Sequence, residues 1–319
     1  MARRNHKVGQ ALVLERVVVV RKTTAIESQQ ARPDRKLARA LLTHDPLAER
    51  VARAHDEHVQ TAEQVEMVLQ QAGLQYRIVS KFGRQHASWA DLVVTVGGDG
   101  TFLRASHSID ATEDHDGVPM LGVNSATSSS VGYFCAATGL TFGQVLAELQ
   151  SGQRRSEGLW RLAVDVGGVP VRDLALNDVL LAHRKPAETT RYTLHVGDQV
   201  QDQKSSGVWV ATPAGSTAAI RAAGGVLLPM DACSLQYRVR EPMLWGLQGT
   251  ALVGGEVPGG IDIVSRMTRG MLYLDGAHLE VPFGFGDRIR IRPSARPMPW
   301  IAPDGLPARR QALWSGRSA

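Results

Sequence analysis

Four consecutive β-branched residues, Val17, Val18, Val19 and Val20, flanked by Arg16 and Arg21, predict a short strand buried on both faces, as in a parallel sheet. Asp45 followed by Pro46 reads as an N-cap with proline at the first helical position. Leu47, Val51, Ala54, Val65, Val68, Leu69 and Ala72 then recur at near-helical spacing until Gly73. One long amphipathic helix is expected there, with His55 and His58 on its solvated side. Residues 74–80, 91–96 and 119–124 are further β-rich segments separated by helix-length stretches, and this alternation implies right-handed crossovers in a parallel sheet. From about Glu157 the rhythm changes to closely spaced strands at 159–166, 169–181, 190–196, 208–212, 260–264, 271–274 and 288–292. The expected architecture is an α/β, Rossmann-like domain with a parallel sheet over residues 1–152, then a mainly β, sandwich-like domain over 153–292. The polar run 152–156, after a helix at 142–149, marks the boundary.

Composition narrows the class. The chain of 319 residues is long enough for about two domains. Its apolar runs fall far short of the roughly 18 residues a membrane helix needs, so no membrane partner is expected. The basic start 1–7 leads into an apolar run that Glu15 and Arg16 interrupt, which does not fit a signal peptide. The two cysteines, Cys135 and Cys233, match neither a disulfide framework nor a zinc spacing. A reducing, cytoplasmic location is expected. The net charge of +5 is concentrated after position 287: the last 32 residues carry seven Arg and one Asp, together with five Pro. Residues 293–319 read as a basic, proline-rich, extended tail. No aromatic-spaced or helix-borne basic motif accompanies it, so nucleic acid is not an expected partner.

Three segments carry candidate chemistry. In the first, an apolar strand runs into Gly97-Gly98-Asp99-Gly100-Thr101 with a helix following. In an open α/β sheet that loop stands at the carboxyl end of a strand, where ligands bind. Glycines let backbone N–H groups approach a polyphosphate, and a helix start adds partial positive charge. A carboxylate in such a cradle is useful if Asp99 takes a proton from an attacking hydroxyl or contacts a phosphate-bound magnesium ion; the same residues also suit a simple tight turn. In the second, Thr212-Pro213-Ala214-Gly215-Ser216-Thr217-Ala218 joins a strand to an Ala-rich segment expected to be helical, offering short hydroxyls to a phosphate or ribose, or else serving as an N-cap. In the third, Asn177 and Asp178 interrupt an apolar strand. An amide beside a carboxylate suits a ribose diol or a purine edge, and a β-bulge is the alternative.

The ordered set of these segments, with Gly122-Val123-Asn124, Val131-Gly132-Tyr133-Phe134, Gly224-Gly225, Leu274-Asp275-Gly276 and Gly286-Asp287, resembles the NAD kinase family over most of the chain. The resemblance implies phosphoryl transfer from ATP, or polyphosphate, to the adenosine ribose 2′-hydroxyl of NAD(H), with Mg²⁺ or another divalent cation accompanying ATP. It implies Asp99 as the catalytic base and Gly97, Gly98, Gly100 and Thr101 as the phosphate loop. It also implies that Asp99, Gly100, Tyr133, Asn177, Asp178, Thr212, Gly215, Ser216, Thr217 and Ala218 contact the dinucleotide, and that the chain forms a homodimer or homotetramer. No residue is singled out as a metal ligand.

Four departures fall where the dinucleotide is gripped. Asp178 replaces the family's usual Glu, Ala214 replaces Thr, Ala219 stands where Tyr is common, and Ser205-Ser206-Gly207 stands where many members have Gly-Asp-Gly. Together with Arg240-Glu241-Pro242 they resemble a divergent branch that includes mitochondrial-type enzymes. Two other readings share these residues: a lipid or diacylglycerol kinase-like enzyme, which has a similar G-G-D-G-T loop, and a catalytically silent nucleotide sensor.

Overall fold

The computed structural model describes residues 7–31, 33–43, 45–110, 117–244 and 251–315. The chain divides into two compact units: one runs up to Glu157 and includes Met298–Leu306, the other comprises Gly158–Pro297 and the residues from Pro307 onward.

In the first unit the elements are β1 (Arg16–Arg21), α1 (Ala25–Ala31), α2 (Arg35–Leu42), α3 (Pro46–Gln71), β2 (Gln75–Val79), α4 (Arg84–Ala87), β3 (Leu92–Gly97), α5 (Asp99–Ser106), β4 (Met120–Asn124), β5 (Cys135–Thr138) and α6 (Phe142–Gln150). The strands pair in parallel in the order β2-β1-β3-β4, with β5 against β4. The returning segment Met298–Trp300 also pairs in parallel with β4, at Met120. The valine run of β1 is buried throughout, as expected for a strand covered on both faces. Val17, Val19, Leu92, Val94, Val96 and Leu121 form one core with Val65 and Leu69 of α3 and Phe142, Leu146 and Leu149 of α6. The Asp45 side chain caps α3 by accepting the Leu47 N–H at 2.8 Å, as its spacing before Pro46 predicted.

β6 (Glu157–Leu159) spans the boundary and belongs to the sheet of β1–β4, and the second unit continues with β7 (Leu162–Val166), β8 (Val169–Pro170), β9 (Asp178–His183), β10 (Thr190–Val196), β11 (Gln199–Ser205) and β12 (Gly207–Ala211). After a 3₁₀ turn at Ala214–Thr217 come α7 (Ala219–Ala222), β13 (Leu235–Arg240), β14 (Gly254–Val257), β15 (Ile261–Ser265), β16 (Gly270–Leu274), β17 (Glu280–Phe283) and β18 (Arg288–Pro293). The last described elements are β19 (Met298–Trp300), which belongs to the first unit, and α8 (Leu306–Ser315). Two antiparallel sheets, β11-β10-β15-β18-β7-β8 and β14-β13-β12-β9-β16-β17, close on one core. Tyr192, Leu194, Ile263, Ile289 and Ile291 of the first sheet meet Val179, Leu181, Val208, Val210, Tyr237 and Leu272 of the second. The fold is an α/β unit with a parallel sheet and an antiparallel β-sandwich unit.

Four expectations are corrected. Residues 293–315 are not an extended tail: Met298, Trp300 and Ile301 are buried, and Pro307 occupies the first turn of α8, where a missing N–H costs nothing. Residues 1–6 and 316–319 lie outside the described residues. The strand expected over 169–181 is two strands, because the chain leaves β8 after Pro170 and re-enters a sheet at Asp178. The Ala-rich segment after Thr217 makes only the short α7. Finally, His58 is buried rather than solvated, since its ring Nδ1 reaches the Ser125 hydroxyl at 2.8 Å. His55 is half-buried and pairs with the Thr24 hydroxyl at 2.8 Å.

Candidate active site

The Gly97–Thr101 loop joins the carboxyl end of β3 to α5, so Asp99 is the first residue of that helix and Gly98 its cap. Each glycine is there for its own reason. A Cβ on Gly97 would lie 2.3 Å from the Thr101 hydroxyl oxygen, and one on Gly98 would lie 2.6 Å from the Ser130 hydroxyl oxygen. A Cβ on Gly100 would meet nothing within 4 Å, and Gly100 is exposed. Among the described residues, the Asp99 and Gly100 N–H groups donate to no other backbone or side chain, as the opening of a helix leaves them. The strand ends beside the loop are tied to it: Lys22 N–H donates to Val96 C=O at 3.0 Å and Ser125 N–H to Gly97 C=O at 3.1 Å.

Asp99 is half-buried, and its Oδ1 accepts the Phe134 N–H at 2.9 Å. Oδ2 accepts no hydrogen bond among the described residues. One carboxylate oxygen is thus held while the other remains open for a proton. The Phe134 backbone is itself fixed: the Trp300 indole N–H donates to Phe134 C=O at 3.1 Å, and the Phe134 ring stacks on Phe102 with centroids 5.1 Å apart. Tyr133 packs edge-on against Phe134 at 4.9 Å and is buried. Gly132 turns the preceding chain at φ +58°, where a side chain would collide with Asn124. Behind the loop, burial and the nearby Arg21 and Lys22 cations hold the His58 imidazole below the usual histidine range, so at neutral pH it is the uncharged partner of Ser125.

In the second unit, the turn after β12 is built on the 176–177 backbone. Thr212 N–H donates to Asn177 C=O at 2.9 Å, the Thr212 hydroxyl donates to Leu176 C=O at 2.6 Å, and that same oxygen accepts the Gly215 N–H at 3.0 Å. A Cβ on Gly215 would fall 2.0 Å from Asn177 C=O; only glycine permits this approach. The Ser216 hydroxyl is fully buried and donates to Pro213 C=O. The hydroxyls of Thr212 and Ser216 therefore shape the turn, while Thr217 and Ala218 lie on its half-buried side. Arg310, buried in α8, donates to Leu228 C=O at 2.6 Å and to Pro213 C=O at 3.0 Å. Asn177 Oδ1 is buried without a hydrogen-bond partner, a costly state for a polar atom unless a ligand meets it. Asp178 is buried, and burial together with the facing Asp275 carboxylate pushes its pKa up to about 7.

Residue patterns did not disclose Trp300 or Arg310, nor the parts played by the Phe134 N–H and Asp275, although both residues lie in segments that carry the family resemblance. Backbone donors leave no mark on a sequence, and the other three act across 82 or more positions of chain.

The first unit thus carries a glycine-rich loop at the carboxyl end of a parallel strand, and the second is an antiparallel sandwich. A family model described as ATP-NAD kinase N-terminal domain matches residues 17–152. A probable NADH kinase of Oryza sativa subsp. japonica is 36% identical over 239 residues, which is 68% of this chain and 72% of that protein. An NADH kinase of Arabidopsis thaliana is 31% identical over 237 residues, 64% of this chain and 70% of its own. Among solved structures, an NAD kinase from Archaeoglobus fulgidus in complex with ATP shares the fold with a TM-score of 0.68 at 20% identity, over 95% of this chain and all (100%) of that one. Yeast NADH kinase complexed with NADH shares it with a TM-score of 0.66 at 19% identity, over 96% and 89%. The chain belongs to the NAD kinase family, phosphotransferases with an alcohol group as acceptor.

Proposed function

We propose that this protein transfers the γ-phosphoryl group of ATP to the 2′-hydroxyl of the adenosine ribose of NAD or NADH, giving NADP or NADPH, with inorganic polyphosphate as an alternative donor. The observation that carries this reading is the Asp99 carboxylate: one oxygen is anchored on the Phe134 N–H and the other is open at the start of α5. In the proposed step Asp99 accepts the 2′-hydroxyl proton, the ribose oxygen bonds to the γ-phosphorus, the bond from that phosphorus to the β–γ bridging oxygen breaks, and ADP leaves. Such transfer depends mainly on positioning and charge neutralisation. The Asp99 and Gly100 N–H groups, with Gly97, Gly98 and Thr101, take the donor phosphates.

Asn177 and Asp178 take the sugar and purine edge of the dinucleotide; the unpartnered Asn177 Oδ1 supports this. Thr212, Gly215, Ser216, Thr217 and Ala218 form the adenosine turn, and Tyr133 packs near adenine. Among the described residues no group of three or more His, Cys, Asp or Glu side chains is placed to hold a metal. The divalent cation of this proposal, Mg²⁺ or an equivalent, accompanies the ATP phosphates as part of the substrate. A homodimer or homotetramer and a cytoplasmic location complete the proposal; among the described residues no helix is long and apolar enough to cross a membrane.

The test is to incubate the purified protein with Mg²⁺, with ATP or polyphosphate, and with NAD or NADH, and to measure phosphorylated dinucleotide. Product in at least one donor–acceptor pair is expected. Dinucleotide binding with no donor consumed in any pair contradicts the proposal.

A further inference from the structure

Asp275 has been given no part in the proposed reaction. It follows β16 directly, in the turn Leu274-Asp275-Gly276, and is buried. Its backbone sits at φ +51°, a left-handed conformation that few non-glycine residues adopt and that Asp tolerates better than most. Its carboxylate accepts three successive backbone N–H groups: Leu176 on Oδ2 at 2.7 Å, Asn177 on Oδ1 at 2.7 Å and Asp178 on Oδ1 at 3.1 Å. In return, Asp275 N–H donates to Asp178 C=O at 2.9 Å. Three N–H groups converging on one carboxylate are an arrangement that a carboxylate anion satisfies and a neutral side chain does not.

We propose that Asp275 is a positioning residue for dinucleotide recognition: by clamping the backbone of residues 176–178, it presents the Asn177 amide and the Asp178 carboxyl group as one fixed hydrogen-bonding pair. The proposal rests on the reading of that pair as dinucleotide contacts. Without the clamp, the N–H groups of 176–178 lose their common acceptor and the segment between β8 and β9 is free to turn its side chains elsewhere. The clamp also places a negative charge against Asp178. Burial and that charge favour the protonated form of Asp178 up to about pH 7, and a protonated carboxyl group donates as well as accepts.

The test is steady-state kinetics of the full chain as a function of pH. Asp275→Asn is expected to raise the KM for NAD(H) by about tenfold or more, the loss of roughly one well-made hydrogen bond. The KM for ATP should stay within about twofold. The pH break expected from Asp178 on kcat/KM for the dinucleotide should also move to lower pH because the facing charge is gone, whereas a merely structural role would raise both KM values together. An Asp275→Asn enzyme whose two KM values rise together, or whose break stays where the wild type has it, overturns the proposal. If that variant does not fold, Asp275→Glu keeps the charge and displaces the clamp by one methylene. It is expected to raise the dinucleotide KM while keeping the break, and an unchanged KM overturns the proposal. Asn177→Ala separates two failures. If it raises the dinucleotide KM while the Asp275 variants do not, the clamp alone is wrong; if none of them does, the assignment of the 177–178 pair is wrong and the clamp falls with it.

Discussion

Gly97 and Gly100 are the same residue type three positions apart, yet they face opposite constraints. Gly97 has no room for a methyl group beside Thr101, whereas Gly100 opens onto free space. Gly97→Ala should cost roughly 1–3 kcal/mol of stability through overpacking, measured by denaturant unfolding, and should weaken ATP binding. Gly100→Ala should leave stability within about 0.5 kcal/mol. A second residue-scale prediction follows from Asp178. Its folded-state pKa of about 7 stands above its ordinary 3.8, so the folded protein holds a proton that the unfolded chain releases. Stability therefore falls as pH rises from about 4 to about 7 and is level above that. Asp178→Asn should exceed the wild type in stability at pH 8 by a margin on the order of 4 kcal/mol at most. The margin should vanish near pH 4, and thermal unfolding across that range checks it. Asp99 was legible in the sequence because three glycines surround it at a strand end. Its anchor was not, since a backbone N–H from Phe134 has no signature of its own.

The elements that could be read from the sequence were those buried evenly or alternately. β1 was readable from its valines, α3 from its cap and spacing, and β10 and β18 from segments matching 190–196 and 288–292. β11 was not readable, because it is an edge strand with the polar sequence Gln199–Ser205, of which only Gln203 and Ser205 are buried. β5 is four residues of small side chains. α8 was misread because prolines and arginines in a terminal segment suggest a solvated tail, whereas Arg310 points inward. It supplies donors to carbonyls of the 213–228 segment, and Arg221 in turn donates to Trp314 C=O at 2.6 Å. Arg310→Ala removes the donor to the Leu228 carbonyl and one of the donors to the Pro213 carbonyl, and should cost about 3 kcal/mol, read by chemical denaturation. Because the affected turn is the proposed adenosine turn, the KM for NAD(H) should rise more than the KM for ATP.

At the scale of the whole molecule, the sequence shows an α/β half and a β half, but not that the chain comes back to the first unit at Met298 after completing most of the second. That return brings Trp300 to the Phe134 carbonyl and so supports the anchor of Asp99. No local periodicity announces it, since β19 is three residues long. The role of Asp99 is tested by measuring 2′-phosphorylated dinucleotide formed by the wild type and by Asp99→Asn from Mg²⁺-ATP and NAD or NADH, using an NADP(H)-specific dehydrogenase as the readout. Product is expected from the wild type, with a loss of roughly 10²–10⁴-fold in turnover for the variant and an unfolding midpoint close to that of the wild type. Wild-type turnover by Asp99→Asn, or product phosphorylated elsewhere than at the 2′-oxygen, would contradict the proposed step.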